Sequence, residues 1–321
     1  MEPEEIRLRA EAIKRGEGRV REDLRFVRPL HTLGEEIRAR SEKVHFGIPS
    51  LDRKLNGVRV GELTMVAGLP GHGKSLAVLT LVYNNPTLPI LWVTPDESRA
   101  KVMGQLAAIS LDLNYTEDME PVLESRTHDD RPTHEALDMS DRITEVMRTE
   151  FPYFTVVGGE RLGIPEIGVA MDEAAETTGA KPKLLVFDYL RQLQTPPRCD
   201  QPGWRSEAFK ALGAKTDTGL VVINQVMKGI YREALQPHAD LLSYEGERES
   251  YQIIWATRAA ILDPEKYGGI GEERQPKVTL FVLKNKNGKL MLEGKECAIA
   301  RSGLIEDWTP RHSEIRRGSG W

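Results

Sequence analysis

The chain of 321 residues is 40% hydrophobic and 29% charged, with a formal charge of -5 at pH 7. That is enough apolar material for one large core, and the charge argues against a wholesale polyanion coat while leaving a local basic groove open. No run approaches the ~20 apolar residues of a membrane span, and two cysteines make neither a disulfide framework nor a metal cluster.

The opening MEPEEIRLRAEAIKRGEGR is too charged for a signal peptide. A cytoplasmic protein without a membrane partner is expected, with Cys199 and Cys297 as free thiols. Residues 1–29 read as a charged arm. Residues 30–45 follow as a short amphipathic helix, its face set by Leu33 and Ile37, with Thr32 and Glu35 spaced as a capping box. That helix has too little apolar surface to stand alone, so it should dock on something. From residue 46 to about 310 the texture alternates between strand, loop and helix, as in an α/β core, and residues 311–321 are a tail.

Within that core GELTMVAG (Gly61–Gly68) reads as a buried strand, and SLAVLTLVYN after the glycine-rich loop as a helix. LPILWVT (Leu88–Thr94) is a second strand, with a helix from Ser98 to Leu111 behind it. The acidic stretch from Asn114 to Glu150 holds loops and a helix through MSDRITEVM. YFTVVG, KLLVFDYL, TGLVVINQV, YQIIWATRAAIL and KVTLFVLKN complete the set, with IPEIGVAMDEAAETTG as a further helix.

The stretch GLPGHGKS (Gly68–Ser75) fits G-x-x-x-x-G-K-[ST], and it lies between an apolar strand and a helix. In that setting Gly68, Pro70, Gly71, His72, Gly73, Lys74, Ser75 and Leu76 would surround the phosphates of ATP. Backbone N–H groups and the helix N-terminus cradle the anion, Lys74 reaches the β and γ oxygens, and the Ser75 hydroxyl meets Mg2+. KLLVFDYL ends in Asp188, whose carboxylate would accept from metal-bound water at the end of a strand next to the loop strand. TPDES places Asp96 and Glu97 just past a strand end, where either could orient the attacking water. The longer reach of Glu97 favours it, and Asp96 or Ser98 could equally cap the following helix. Gln225 ends the strand LVVINQ, where its amide could sense the γ-phosphate or simply cap a loop. Beyond it Lys228, Tyr231 and Arg232 interleave charge and ring in a glycine-containing loop, a composition suited to a nucleic-acid backbone and also to a plain surface loop.

Taken together these motifs resemble the RecA-like ATPases and, within them, the DnaB-type replicative helicases, from about Pro29 to Gly288. FGIPSLDRKLNGVRVGELTMVAGLPGHGKS is similar to that family's run into its phosphate loop. KLLVFDYLRQLQ is similar to its Walker B strand, INQ to its glutamine-bearing strand, and LKNKNG (Leu283–Gly288) to its late K-x-R-N-G element. The resemblance implies a RecA-like fold with a mostly parallel sheet flanked by helices. It also implies a hexameric ring with ATP between neighbours, and a linker helix docked on the next subunit. Lys284 and Lys286 become candidate trans-acting cations, with two solvated lysines in a hairpin turn as the plainer reading. Lys286 stands where the family has an arginine, and a lysine offers a point charge rather than a planar fork, so Arg258 is a second candidate for that role.

Single-stranded DNA would run through the central channel past Arg198 to Arg205 and Lys228 to Arg232. Primase, a loader or other replisome proteins are the expected partners. The family's helical N-terminal domain has no counterpart ahead of the arm, an architecture closer to a phage or plasmid replication protein acting in the host cytoplasm. The expected activity is ATP-driven unwinding in replication. A RecA- or RadA-like recombination ATPase is the alternative favoured by the paired acids, and a nucleotide-gated DNA-binding assembly protein is a third.

Overall fold

The computed structural model describes residues 43–159, 162–194, 203–226, 233–242, 247–267 and 276–308. The arm, most of the expected linker helix, the tail, Cys199, Arg198, Lys228, Tyr231 and Arg232 lie outside them. Lys43 and Val44, assigned from the sequence to the end of the linker helix, form strand β1 (Lys43–Val44), paired antiparallel with β2 (Val58–Arg59).

The centre of the molecule is a nine-stranded sheet among the described residues. Its parallel part comprises β3 (Leu63–Gly68), β4 (Ile90–Thr94), β5 (Phe154–Gly158), β6 (Leu184–Asp188), β7 (Gly219–Gln225) and β8 (Gln252–Thr257). These strands are continuous apolar runs, as strands covered on both faces must be, and every residue of β3, β4 and β8 is buried. The antiparallel edge adds β9 (Lys277–Asn285), β10 (Met291–Ile299) and β11 (Ile305–Asp307), giving the order β11-β10-β9-β8-β3-β7-β6-β4-β5.

Helices cover both faces. One core packs α1 (Pro49–Leu55), α2 (Lys74–Tyr83), α3 (Arg99–Leu111) and α5 (His134–Glu150) around Phe46, Leu79, Trp92 and Leu106, the short α4 (Glu120–Leu123) lying before α5. On the other face α6 (Ile164–Thr178) and α7 (Trp204–Thr216) bury Ile167, Phe187 and Phe209. The short helices α8 (Ala259–Leu262) and α9 (Pro264–Tyr267) follow β8.

Two features differ from the sequence reading. The strand ending in Asp188 does not adjoin the loop strand, because β7 lies between β6 and β3. Arg205, expected in a DNA-binding loop, stands in the first turn of α7, and its Nε donates to the Leu193 carbonyl at 2.8 Å.

Candidate active site

The parallel strands bring their carboxyl ends to one edge of the sheet, and the phosphate loop leaves that edge from β3. Gly71 and Gly73 have φ of 75° and 89°, left-handed values that a side chain would strain, and Gly73 caps α2. The open loop exposes the first N–H groups of a ten-residue helix, the anion site expected from its dipole and unpaired donors. At Gly68 the Ala256 carbonyl approaches so closely that a Cβ could not be added. Pro70 and Leu76 are half-buried beside the loop.

His72 departs from the expectation that it lines the phosphates. Its ring is buried, and Nδ1 accepts from the Arg258 backbone N–H at 3.1 Å, just past the end of β8. Burial, then the charges of Lys74 and Arg258, push its pKa down to about 4, so the ring is neutral and braces the loop from below. Arg258 consequently stands beside the loop of its own chain.

Lys74 is buried, with Nζ donating to the Leu69 carbonyl at 2.8 Å. Burial lowers its pKa to about 8 against the pull of Asp188, and bound phosphates would hold it charged. Ser75 Oγ donates to Asp188 Oδ2 at 3.1 Å, so the carboxylate spans the intervening strand. Burial, then the Glu97 charge, push Asp188 up to about 6. A hydroxyl beside a buried carboxylate is a hard oxygen pair that suits Mg2+, and a divalent cation would relieve the strain of burying that charge.

The Glu97 charge weighs on Asp188 more heavily than that of Asp96, and Glu97 is half-buried while Asp96 is exposed. Thr94 Oγ1 accepts from the Glu97 N–H at 3.0 Å, and Lys101 Nζ lies 2.8 Å from the Glu97 carboxylate. Ser98, not Asp96, caps α3 by accepting from the Lys101 N–H. Gln225 sits in register with Gly68, and the Val226 N–H donates to the Gly68 carbonyl at 3.2 Å. The amide therefore flanks the root of the loop. Thr94 and Lys101 are additions to the sequence reading, and the Glu97–Lys101 spacing of four on a helix start was the available signal.

The lysine turn is built elsewhere. The Asn285 Nδ2 donates to the Lys54 carbonyl at 2.7 Å, and the Asn287 side chain donates to the Glu62 carboxylate. Gly288 presses against the Lys54 carbonyl with no room for a Cβ. The asparagines and glycine of LKNKNG thus bolt the turn to α1 and to the approach to β3. Lys284 is half-buried and pairs with Glu247 at 3.2 Å. Lys286 is exposed, its backbone N–H donating to the Tyr251 carbonyl at 2.9 Å. Tyr251 in turn donates its N–H to the Leu63 carbonyl, at the amino end of β3. Lys286 and the phosphate loop are therefore at opposite ends of that strand, roughly 16 Å apart at ~3.3 Å per residue.

Comparison with known families agrees with this layout: the model described as DnaB-like helicase C terminal domain matches residues 44–293. The chain belongs to the DnaB-like helicase family. That membership makes it an ATP-dependent helicase, a hydrolase, built on the RecA-like core described above. Among solved structures, the ATPase domain of another DnaB-like helicase superposes with a TM-score of 0.68 at 16% identity, covering 87% of this chain and 97% of that one. A DnaB-like replicative helicase studied with primase superposes with a TM-score of 0.66 at 16% identity, covering 95% and 73% respectively. At that identity the likeness shows the fold. No curated protein matches the sequence at a significant level. No helix among the described residues is long and apolar enough to cross a membrane.

Proposed function

We propose that this DnaB-like helicase works as a head-to-tail ring, hexameric as in its family, that hydrolyses ATP between neighbours and moves along single-stranded DNA. The observation that carries the reading is the separation of the phosphate loop from the lysine turn across the length of β3. One chain cannot bring both to one nucleotide, whereas a heterologous contact sets one end of each sheet against the other end of the next.

In that arrangement the loop N–H groups and Lys74 hold the phosphates of ATP, while Ser75 and Asp188 hold Mg2+. The metal would neutralise charge on the β and γ oxygens and fix their orientation. Glu97, steadied by Thr94 and Lys101, orients the water and takes its proton as the water oxygen bonds to the γ-phosphorus and the bond to the bridging oxygen breaks. Asp96 is too exposed to be the better base. Lys286 of the next subunit meets the charge that develops on the transferred group. Lys284 supports the turn through Glu247, and Gln225 links the state of the loop to the segment after β7.

That segment carries Lys228, Tyr231 and Arg232, which with Arg198 are proposed to grip DNA. Arg205 would contribute chiefly by tying α7 to Leu193. A primase or loader would be met in the cytoplasm of the cell, or of the host, where the replicating DNA lies. The test is steady-state ATP hydrolysis with and without single-stranded DNA, together with strand displacement on a fork. DNA-stimulated hydrolysis with displacement is expected. Strand pairing without displacement would indicate the recombinase reading, and hydrolysis indifferent to DNA would indicate a nucleotide-gated assembly protein.

A further inference from the structure

A lysine in place of an arginine finger raises a problem of aim, because its charge rides on a flexible four-carbon stem with no planar fork to fix its geometry. The structure supplies an answer in a residue that no motif singled out. Lys286 Nζ lies 4.7 Å from the centroid of the Tyr251 ring, and Lys210 Nζ from α7 lies 5.1 Å from the same centroid. The Lys286 backbone is held by the Tyr251 carbonyl at 2.9 Å, so one residue grips both ends of the lysine.

Tyr251 is itself well placed to be a fixed platform. It is half-buried, its N–H donates to the Leu63 carbonyl at 2.9 Å, and it leads directly into the fully buried strand β8. The turn before it is pinned from two sides, by Lys284 on Glu247 and by Ser206 Oγ donating to Glu249 at 3.0 Å. An ammonium over an aromatic face is attracted by the ring quadrupole, which restricts the rotamers of an otherwise loose side chain.

We propose that Tyr251 is a positioning residue for Lys286: its ring and carbonyl hold the ammonium in the orientation in which it is presented to the neighbouring subunit's nucleotide. The proposal rests on the reading of Lys286 as the trans-acting cation. Tyr251 stands at the end of β3 opposite the chain's own phosphate loop, so removal of its ring should act on turnover through Lys286 and leave the chain's own ATP binding intact. Lys210 shares the ring from α7, which keeps that platform positively charged around the turn.

The experiment is a double-mutant cycle on the full chain, reading kcat and KM for ATP in saturating single-stranded DNA. Tyr251→Leu removes the ring face, Tyr251→Phe keeps it, and each is made with and without Lys286→Ala. Tyr251→Leu is expected to lower kcat about two- to fivefold, the size of an exposed cation–π contact. KM should stay within about twofold, and Tyr251→Phe should match the parent. In the Lys286→Ala background the same substitution should cost nothing further. If Tyr251→Leu lowers the melting temperature enough to confuse the result, Tyr251→Met fills the same space without a ring and is read identically. A full additional loss on top of Lys286→Ala, or a Phe variant as impaired as Leu, overturns the positioning role. If Lys286→Ala itself leaves kcat unchanged, the trans-acting reading fails first, and the role of Tyr251 falls with it.

Discussion

The two ends of β3 are built on opposite principles. At the carboxyl end Lys74 is buried on the Leu69 carbonyl, Ser75 is bonded to Asp188, and burial has shifted the pKa values of Lys74 and Asp188 before any ligand arrives. At the amino end Lys286 is exposed, and among the described residues its ammonium contacts only an aromatic ring. The first is a preorganised electrostatic site, in which reorganisation has been met by folding. The second, under the proposed function, is half of a site that a neighbouring copy completes. The contrast teaches that one sheet can carry a finished binding site at one end and an exposed cation at the other, which the proposed ring would bring together.

The largest expected effect breaks the first end. Lys74→Ala should reduce ATP hydrolysis by on the order of a hundredfold or more, because a buried cation facing the phosphates is lost; near-normal turnover of that variant would remove the loop from the mechanism. Glu97→Gln should lower kcat by about 10²-fold or more, the range of a positioned general base, while nucleotide binding persists in a fluorescence titration. Asp96→Asn, at an exposed side chain, should change kcat only a few-fold.

A smaller effect sharpens the comparison through pH. Burial raises Asp188 from 3.8 to about 6, so the folded, metal-free protein binds a proton that the unfolded chain releases. Its contribution to stability is present below 3.8 and is lost as pH rises through about 6. Mg2+ competes with that proton. Its affinity should therefore rise by up to about tenfold per pH unit until about pH 6 and then level off, measured by calorimetry with a non-hydrolysable nucleotide. Lys286→Ala, at the other end of β3, should leave that profile unchanged.

Much of the carboxyl end was legible in the sequence, because its residues must stand close together along the chain to shape a loop. The strands that carry them are uniform apolar runs bounded by glycines and acids. The missing elements have physical reasons. α7 (WRSEAFKALGAKT) buries little beyond Phe209 and Leu212, and Gly213 lies against Leu220, so its apolar stripe is too thin to read as a helix. β10 carries Glu293, Lys295 and Glu296 around a glycine and is buried only at Cys297–Ile299. The place of Asp188 one strand away from the loop strand depends on chain crossovers, which leave no local mark. His72 matched the phosphate-loop pattern and turned out to face the protein, a direction set by the neighbouring strand. Tyr251 gave no signal because its partners Lys210 and Lys286 are far from it in sequence and meet it only in the fold.

The central claim, a catalytic site shared between copies, is tested most directly by mixing two impaired variants. Lys74→Ala subunits keep the lysine turn and lose the loop, while Lys286→Ala subunits keep the loop and lose the turn. Each variant alone should hydrolyse ATP poorly. Their equimolar mixture should recover activity well above the sum of the two, because some interfaces now join an intact loop to an intact lysine. A mixture no more active than its parents, with wild type mixed with either variant remaining active, would contradict the account.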